Sequence, residues 1–289
     1  MPLRHLLLAL AVVAVWGTNF VVIKWALGTV PPLLLGALRF ALAFALVAPF
    51  VPRPAVGWRT LVAYGVLIGA GQFGLLYVAM RADITPGLAS LVIQTQVFFT
   101  IGLAIALAGE RVRGFHGVAL ALAAGGLVVI ALHTDASVTP LGVGLVLLAA
   151  LSWAAGNLVA KRAGRVDMLG FMVWSSLFAV PPLALLSLAV EGPQAIAEGL
   201  AAADPGVWAA VLWQSIGNTL FGYGAWAWLL ARHPAVTIAP MSLLVPVFGL
   251  SASALVLAEP LPAWKLAAVT LVLAGLALNV LWPRWAARP

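Results

Sequence analysis

WGTNFVVIK, residues 16–24, places an asparagine and a lysine inside the first long apolar run of the chain. A second stretch, WAAGNLVAK at residues 153–161, repeats the eight-residue spacing from tryptophan to lysine, again with an asparagine between them. The recurrence of this polar motif within apolar surroundings predicts internal repetition, which must be recognised before the fold can be assigned.

The overall composition is that of a membrane protein. Of the 289 residues, 64% are hydrophobic and only 8% are charged, whereas soluble domains carry roughly 25% charged residues. So few charges cannot cover a surface that faces water, and apolar runs of about 20 residues form helices that span a lipid bilayer. The chain has no cysteine, which excludes disulfides and thiolate-bound metals.

Charged residues and clusters of proline and glycine divide the chain into ten apolar spans. The connections between the spans are short, except for a longer predicted loop at 191–205. The predicted spans are 6–27, 33–51, 60–80, 86–108, 115–132, 141–160, 169–190, 206–231, 236–258 and 263–282.

The basic residues predict the orientation of these spans. If the N-terminus is cytoplasmic, only Arg81 and Lys265 fall in external segments, and cytoplasmic loops normally hold the excess of Lys and Arg. We therefore predict that both termini are cytoplasmic and that 191–205 is external. The net charge of +7 then reflects topology and does not indicate nucleic-acid binding. The cytoplasmic basic residues are Arg4, Arg53, Arg59, Arg111, Arg113, Lys161, Arg162, Arg165, Arg232, Arg284 and Arg288.

A second repeat supports a duplicated architecture. QVFFTIGLAIALAGERV (96–112) matches PVFGLSASALVLAEPL (246–261), with Glu110 and Glu259 closing the two helices. Five spans per half is an odd number of crossings, so the halves have opposite orientations, as in many secondary transporters. We predict an all-α integral membrane protein of ten transmembrane helices, in which two inverted five-helix repeats surround a central cavity. The predicted repeats are 1–135 and 136–289.

On these motifs the chain resembles the EamA-type members of the drug/metabolite transporter superfamily. The resemblance covers nearly the whole chain, although Gln96 stands where the second half has Pro246. It implies that helices one to four and six to nine line or gate the cavity, and that helices five and ten lie outside. It also implies that bacterial exporters of amino acids, aromatic ones among them, are the nearest relatives.

Motifs for nucleotides and metals are absent or out of context. GAGQFG (69–74) fits G-x-G-x-x-G, but it follows no strand and no acid lies about 20 residues further on. Close helix packing through Gly65 and Gly69 is the better explanation. The sequence contains neither a Walker A motif nor H-E-x-x-H, so we expect no nucleotide, cofactor or metal.

Amide side chains inside the predicted spans are candidates for a polar cavity wall. Any one of them could simply hydrogen-bond to a neighbouring helix, but together they favour a shared cavity. Gln96 and Thr100 share a helix face, whereas Gln94 is predicted to point elsewhere. On helix eight, Gln214 and Asn218 share a face that Phe221 continues. The predicted substrate-binding residues are Trp16, Asn19, Lys24, Arg39, Gln72, Tyr77, Gln96, Thr100, Trp153, Asn157, Gln214 and Asn218.

Lys24 and Arg39 are cations within predicted spans, where charge is costly. Lys24 lies near the external end of helix one and can snorkel, whereas Arg39 lies about two turns into helix two. Helix-end carbonyls, amides or an anionic group of the substrate could satisfy either cation. Acids and histidines lie only near span ends, so the sequence predicts no obligatory proton coupling.

These observations predict a secondary transporter of the bacterial cytoplasmic membrane that exports small metabolites by alternating access. The expected substrates are amino acids with an aromatic or large apolar side chain. A multidrug or other metabolite exporter of the same family is the first alternative, and a membrane enzyme or non-transporting membrane protein is the second. We expect the protein to have no catalytic activity. We also expect it to be a monomer in contact with membrane lipid.

Overall fold

The computed structural model describes residues 1–108, 114–133, 138–164, 166–233 and 238–285. Within these ranges the backbone forms α-helices, short 3₁₀- and π-helical segments and connections, without a β-strand. The predicted boundary between residues 135 and 136 lies outside the described ranges. Five residues named above also lie outside them: Glu110, Arg111, Arg113, Arg165 and Arg288. We call residues 1–135 the N-terminal half and residues 136–289 the C-terminal half.

The helices follow the predicted spans, and several of them begin at a proline, which suits the first turn of a helix. The described α-helices are α1 (Leu3–Ala26), α2 (Pro32–Val47), α3 (Trp58–Val66), α4 (Leu75–Ala82), α5 (Pro86–Val92), α6 (Gln96–Ala108), α7 (Gly114–Leu132), α8 (Pro140–Ala163), α9 (Met168–Leu186), α10 (Gly192–Ala202), α11 (Pro205–Leu212), α12 (Gly222–Arg232), α13 (Val245–Leu257) and α14 (Ala263–Trp285).

Some neighbouring helices are joined without a break into one longer stretch. A π-helical segment, Leu67–Gly74, connects α3 to α4, and another, Trp213–Phe221, connects α11 to α12. A 3₁₀ turn, Ile93–Thr95, connects α5 to α6. These changes of winding are not predictable from the sequence, because apolar periodicity does not distinguish π- from α-helical turns within one span.

Seven helical stretches of the described residues are long and apolar enough to cross a membrane. Two shorter apolar helices, Met241–Leu257 and Ala263–Asn279, accompany them. The predicted span 206–231 is helical but is not among these stretches, so the count of ten crossings stays a prediction. The seven stretches are Leu3–Ala26, Pro32–Phe50, Trp58–Ala82, Pro86–Leu103, Gly114–Leu132, Pro140–Ala163 and Met168–Ala202.

The connection predicted as a longer loop at 191–205 is helical over most of its length. After Gly192, whose φ of +83° ends the preceding helix, the chain forms the eleven-residue helix α10. Pro193 in the first turn and the alanine-rich sequence that follows favour this helix. Gly199 of α10 packs against Pro31, which places α10 beside the connection between α1 and α2.

Small residues allow the close helix contacts predicted from GAGQFG. A Cβ atom at Gly69 would collide with Ala179 of α9, and one at Gly65 would collide with the backbone of Ser175. α7 and α14 instead pack on one another through Gly126 and Gly275. They lie away from the cavity described below, since neither contributes a residue to its wall.

Candidate functional site

A cavity of about 450 Å³ lies between helices of both halves of the chain. Its volume is within the range of about 300–1,000 Å³ that is typical of small-molecule sites. The wall consists of Trp16, Asn19, Phe20, Ile23, Tyr64, Gln72, Phe73, Leu76, Ile93, Gln94, Gln96, Val97, Trp153, Asn157, Ala160, Met168, Asn218, Tyr223, Trp226, Ser242 and Val245.

The irregular helical segments meet at this cavity. Gln72 and Phe73 come from the first π-helical segment, and Asn218 comes from the π-helical segment before α12. Gln94 and Ser242 come from 3₁₀ segments. Within a membrane, departures from regular helix are tolerated where the backbone is buried in protein or lines a cavity. The changes of winding therefore place polar side chains at the cavity wall.

One part of the wall is aromatic. The ring of Trp16 lies 5.4 Å from that of Tyr223 and 5.1 Å from that of Trp226, measured between ring centroids. The indole Nε1 of Trp16 donates to the carbonyl of Asn218 at 3.2 Å, which fixes the ring against the C-terminal half. Trp153 of the repeated motif contributes a further ring. These surfaces can pack on a planar or large apolar group.

A set of amides in the wall is bonded within the protein. Asn157 Nδ2 donates to Gln96 Oε1 at 3.0 Å and to Thr100 Oγ1 at 3.3 Å, which links α8 to α6. Gln94 Nε2 donates to the carbonyl of Ser242 at 3.1 Å. The expectation that Gln94 points away from the cavity is wrong, because the 3₁₀ turn at 93–95 rotates it out of the α-helical register with Gln96.

Asn19 and Gln72 differ from the other amides. Each is only 3% exposed, and the oxygens Asn19 Oδ1 and Gln72 Oε1 have no hydrogen-bond partner in the described structure. Both side chains line the cavity. An amide left without a partner in a buried site costs stability, so such groups are commonly retained for a ligand or a bound water.

The wall contains no acidic, basic or histidine side chain among its described residues. Lys24 lies outside it, where Nζ donates to the carbonyls of Met80 and Arg81 at 2.8 and 2.9 Å. These carbonyls end helix α4, where a cation is favoured by the helix dipole. Of the three partners considered for this lysine, helix-end carbonyls are the ones it contacts.

Arg39 is fully buried (0% exposed) in a neutral cluster behind the wall. Its Nη1 donates to the Tyr77 hydroxyl at 2.7 Å, and its Nη2 donates to Thr219 Oγ1 at 2.9 Å. The guanidinium carbon lies 3.8 Å from the centroid of the Phe73 ring. Among the described residues it has no carboxylate partner, since the one ion pair there joins Lys265 and Glu259.

Gln214 belongs to the Arg39 cluster rather than to the cavity wall. The Tyr77 hydroxyl donates to Gln214 Oε1, and Gln214 is completely buried. Phe221, predicted to continue the face of Gln214 and Asn218, is 40% exposed instead. The π-helical segment has more residues per turn than an α-helix, so the α-helical periodicity used for that prediction does not apply there.

The cavity wall contains seven of the twelve predicted site residues. Sequence reasoning missed Tyr64, Phe73, Tyr223, Trp226 and Ser242, for which an apolar span gives no signal that separates cavity-facing from packed rings. The predicted residues in the wall are Trp16, Asn19, Gln72, Gln96, Trp153, Asn157 and Asn218, and those outside it are Lys24, Arg39, Tyr77, Thr100 and Gln214.

One end of the helix bundle is held by two carboxylates that cap helices across the halves. Glu259 accepts from the backbone N–H of Gly87 at 3.0 Å and from Thr85 Oγ1 at 2.5 Å, at the start of α5. Glu191 accepts from the N–H groups of Leu33 and Leu34 at 2.6 and 3.2 Å, at the start of α2. We call this the capped end. The cavity wall instead reaches Ala160 and Met168, next to the connection between α8 and α9.

Glu259 is 7% exposed and follows Ala258, which has a left-handed φ of +52°. Lys265 Nζ donates to it at 2.8 Å, and Ser253 Oγ donates to its other oxygen. Burial alone would raise the pKa of Glu259, but hydrogen bonds from Lys265, Ser253 and Thr85 outweigh this effect and hold the pKa below its ordinary value. The carboxylate is therefore ionised at neutral pH.

A model of the EamA-like transporter family matches this chain at residues 3–132 and 140–281. The chain belongs to the EamA-like transporter family. The resemblance seen in the sequence motifs is confirmed. Each of the two matched stretches supplies residues to the cavity wall, so the site lies between the two matched parts of the chain.

Two curated relatives of this EamA-like transporter match it over nearly their full length. A protein of Salmonella typhimurium named "Probable amino-acid metabolite efflux pump" is 41% identical over 279 residues, covering 94% of this chain and 93% of its own. A protein of the same name from Escherichia coli is 39% identical over 284 residues, covering 96% and 95%. A solved crystal structure, 20% identical, covers 99% of this chain and 98% of its own with a TM-score of 0.67, which indicates a shared fold.

The described residues hold no group of three or more His, Asp or Glu side chains that could bind a metal ion. The polar groups of the wall are amides and hydroxyls. Such a site can bind and orient a solute through hydrogen bonds and ring contacts.

Proposed function

We propose that this EamA-like transporter exports amino acids with aromatic or large apolar side chains across the bacterial inner membrane. The observation that carries the proposal is the composition of the cavity wall, which combines tryptophan and tyrosine rings with amides and has no charged side chain among its described residues. An amino-acid zwitterion has zero net charge. Neutral amides can accept from its ammonium and donate to its carboxylate, while the rings pack on its side chain.

The relatives support an amino-acid substrate by their printed name, and the family supports transport. A multidrug exporter of cationic compounds is less favoured, because such a pocket favours a buried acid and the described wall contains none. A membrane enzyme is less favoured because the described residues of the wall offer no acid, histidine or metal site for catalysis.

We further propose that the two halves are inverted repeats of five crossings each, with both termini in the cytoplasm. The two separate matches to one family model, at 3–132 and 140–281, support the division into repeats. At the capped end, Gly199 packs on Pro31 and Thr85 bonds to Glu259. These contacts join segments that connect successive spans, which supports successive spans crossing the membrane in alternating directions. The bias of Arg and Lys then assigns the capped end to the external side.

Alternating access follows from this arrangement. In the proposed orientation the capped end, held by Glu191 and Glu259, is external, and the cavity extends toward the cytoplasmic end at Ala160 and Met168. To release substrate outside, the halves rock, the two caps open and contacts form at the cytoplasmic end. A substrate that binds both states about equally is carried without locking either one.

The test is flux of a panel of labelled amino acids through purified protein in proteoliposomes. We expect flux of phenylalanine, tryptophan or leucine, and weak flux of aspartate and lysine. Trp153→Ala should reduce flux severalfold, because it removes a ring from the wall, whereas Trp282→Ala, at an exposed position on α14, should not. Absence of flux for every amino acid would refute the proposal.

A further inference from the structure

We propose that Gly222 determines how large a substrate side chain the cavity admits, because it sets the position of the Trp16 ring. Trp16 lines the cavity, whereas Gly222 is not among the described residues of the wall. Gly222 is therefore a positioning residue that acts through Trp16. This inference rests on the proposed function and deepens it, since it assigns the selection of large aromatic side chains to one contact.

The first argument is the close approach of the indole to the start of α12. A Cβ atom at position 222 would lie 2.3 Å from Trp16 Nε1, 3.1 Å from its Cδ1 and 3.2 Å from its Cε2. Heavy atoms in favourable van der Waals contact are about 3.5–4.0 Å apart. The indole therefore occupies space that the side chain of any residue other than glycine would need.

The second argument is the hydrogen bond that this approach allows. Trp16 Nε1 donates to the carbonyl of Asn218, four residues before Gly222, at 3.2 Å. In a helix the Cα–Cβ bond tilts toward the N-terminus, so a side chain covers the turn that precedes its own Cα. A side chain at position 222 would cover this carbonyl, whereas glycine leaves it open to a ring from α1.

The third argument decides where a displaced ring would go. The rings beside Trp16 are those of Tyr223 and Trp226, at 5.4 and 5.1 Å, and both belong to α12. A methyl group on Gly222 would lift the indole off this helix. The backbone of α1 is itself closely packed, since a Cβ at Gly17 would lie 2.5 Å from a backbone oxygen of α13. The Trp16 side chain therefore yields, and it moves into the cavity that it lines.

The experiment compares a large and a smaller apolar substrate, as flux of labelled tryptophan and labelled leucine at subsaturating concentration in proteoliposomes. Gly222→Ala should lower the ratio of tryptophan flux to leucine flux about tenfold, because overpacking opposes the larger side chain. The KM for tryptophan should rise, whereas the KM for leucine should change little. Wild-type flux of both amino acids with an unchanged ratio in Gly222→Ala would overturn this inference alone.

Gly224→Ala is the matched control. Gly224 lies two residues further along α12, and a Cβ there would meet only the side chain of Leu169, at 3.8 Å, which is an ordinary contact. Its flux ratio should equal that of the wild type. Both substitutions replace glycine by alanine within one helix, so helix propensity favours both variants. An equal fall of the ratio in both would mean that the Trp16 contact is not its cause, and would overturn the inference.

Trp16→Phe tests whether Gly222 acts through the indole. Phenylalanine lacks Nε1 and the second ring, so Gly222→Ala should change the flux ratio little when Trp16→Phe is already present. Effects that simply add in the double variant would show that the two positions are uncoupled, which the inference does not allow.

Folding of the same variants gives a second readout. If Gly222→Ala alone does not fold, Trp16→Phe should restore a single monodisperse peak in size-exclusion chromatography. A double variant that still does not fold would contradict the inference. Absence of any amino-acid flux in the wild type would refute the proposed function, and this inference with it.

Discussion

The carboxylate of Glu259 accepts a hydrogen bond from the backbone N–H of Gly87 at 3.0 Å, across 172 positions of the chain. Its partners divide into two groups. Thr85 and Gly87 belong to the N-terminal half, whereas Ser253 and Lys265 belong to the same half as Glu259. If the halves separate at this end, the carboxylate keeps Ser253 and Lys265, so opening leaves no unpaired buried charge. The contact can therefore break and re-form during transport.

The first prediction concerns this capped end. Glu259→Gln removes charge from hydrogen bonds that contribute about 1.5–3 kcal/mol each, so opening should become about tenfold more favourable. A cysteine replacing Ile23, a cavity residue, should then react about tenfold faster with an impermeant thiol reagent in intact cells. Glu198→Gln, an exposed acid on α10, is the control. Equal labelling in both backgrounds would show that Glu259 does not hold this end closed.

The second prediction is the pH dependence of the same contact. Opening removes the hydrogen bonds from Thr85 and Gly87 while Ser253 and Lys265 remain, so the pKa of Glu259 is lower in the closed state than in the open state. The contribution of Glu259 to closure is therefore present at neutral pH and is lost as external pH falls through the lowered value. Labelling at Ile23→Cys should thus stay low at neutral pH and rise only in strong acid. Lys265→Met removes the paired cation and should shift this rise upward by about 1–3 pH units. A rise at unchanged pH would contradict the assignment.

The sequence predicts the helical spans well because span ends are marked by residues with strong local effects. Pro32, Pro86 and Pro140 each begin a helix at or within one residue of the predicted position. The π-helical segments at 67–74 and 213–221 could not be predicted, since their winding depends on packing against other helices. That difference explains why Phe221 was assigned to the wrong face.

The candidate site is less predictable than the fold. Polar residues in an apolar span indicate a special role, and Asn19 and Gln72 do line the cavity. The sequence does not say whether a buried cation contacts substrate or protein, because its partner lies far away along the chain. Arg39 bonds to Thr219, 180 positions away, and only the tertiary structure shows this pairing.

The third prediction is the topology. A cysteine introduced at Ala197, an exposed position on α10, should react with an impermeant thiol reagent in intact cells, because the basic residues assign this end to the outside. Arg162 lies at the C-terminal end of α8, opposite to the capped end of the bundle. A cysteine replacing it should react only after lysis. The natural chain has no cysteine, so there is no background. The reverse pattern would invert the proposed orientation and the direction in which the cavity faces.

The fourth prediction tests the cluster around Arg39. Tyr77→Phe leaves Arg39 Nη1 without an acceptor and Gln214 Oε1 without a donor, both completely buried. The free energy of unfolding in detergent should fall by about 1–3 kcal/mol or more. Tyr64→Phe, which loses only a bond to the sulfur of Met172, should have a smaller effect. Equal losses in the two variants would show that the cluster contributes nothing specific.

The last prediction concerns energy coupling. Among the described wall residues no acidic, basic or histidine side chain contacts the cavity, so substrate binding has no carboxylate, amine or imidazole there to exchange a proton with. We therefore expect phenylalanine flux in proteoliposomes to follow the substrate gradient, unchanged by an imposed pH gradient or a protonophore. Lys24 is bonded to the carbonyls of Met80 and Arg81 outside the wall. Lys24→Met should leave this independence of pH intact while weakening the capped end. Uphill accumulation driven by the pH gradient and lost in Lys24→Met would instead make this lysine the coupling residue.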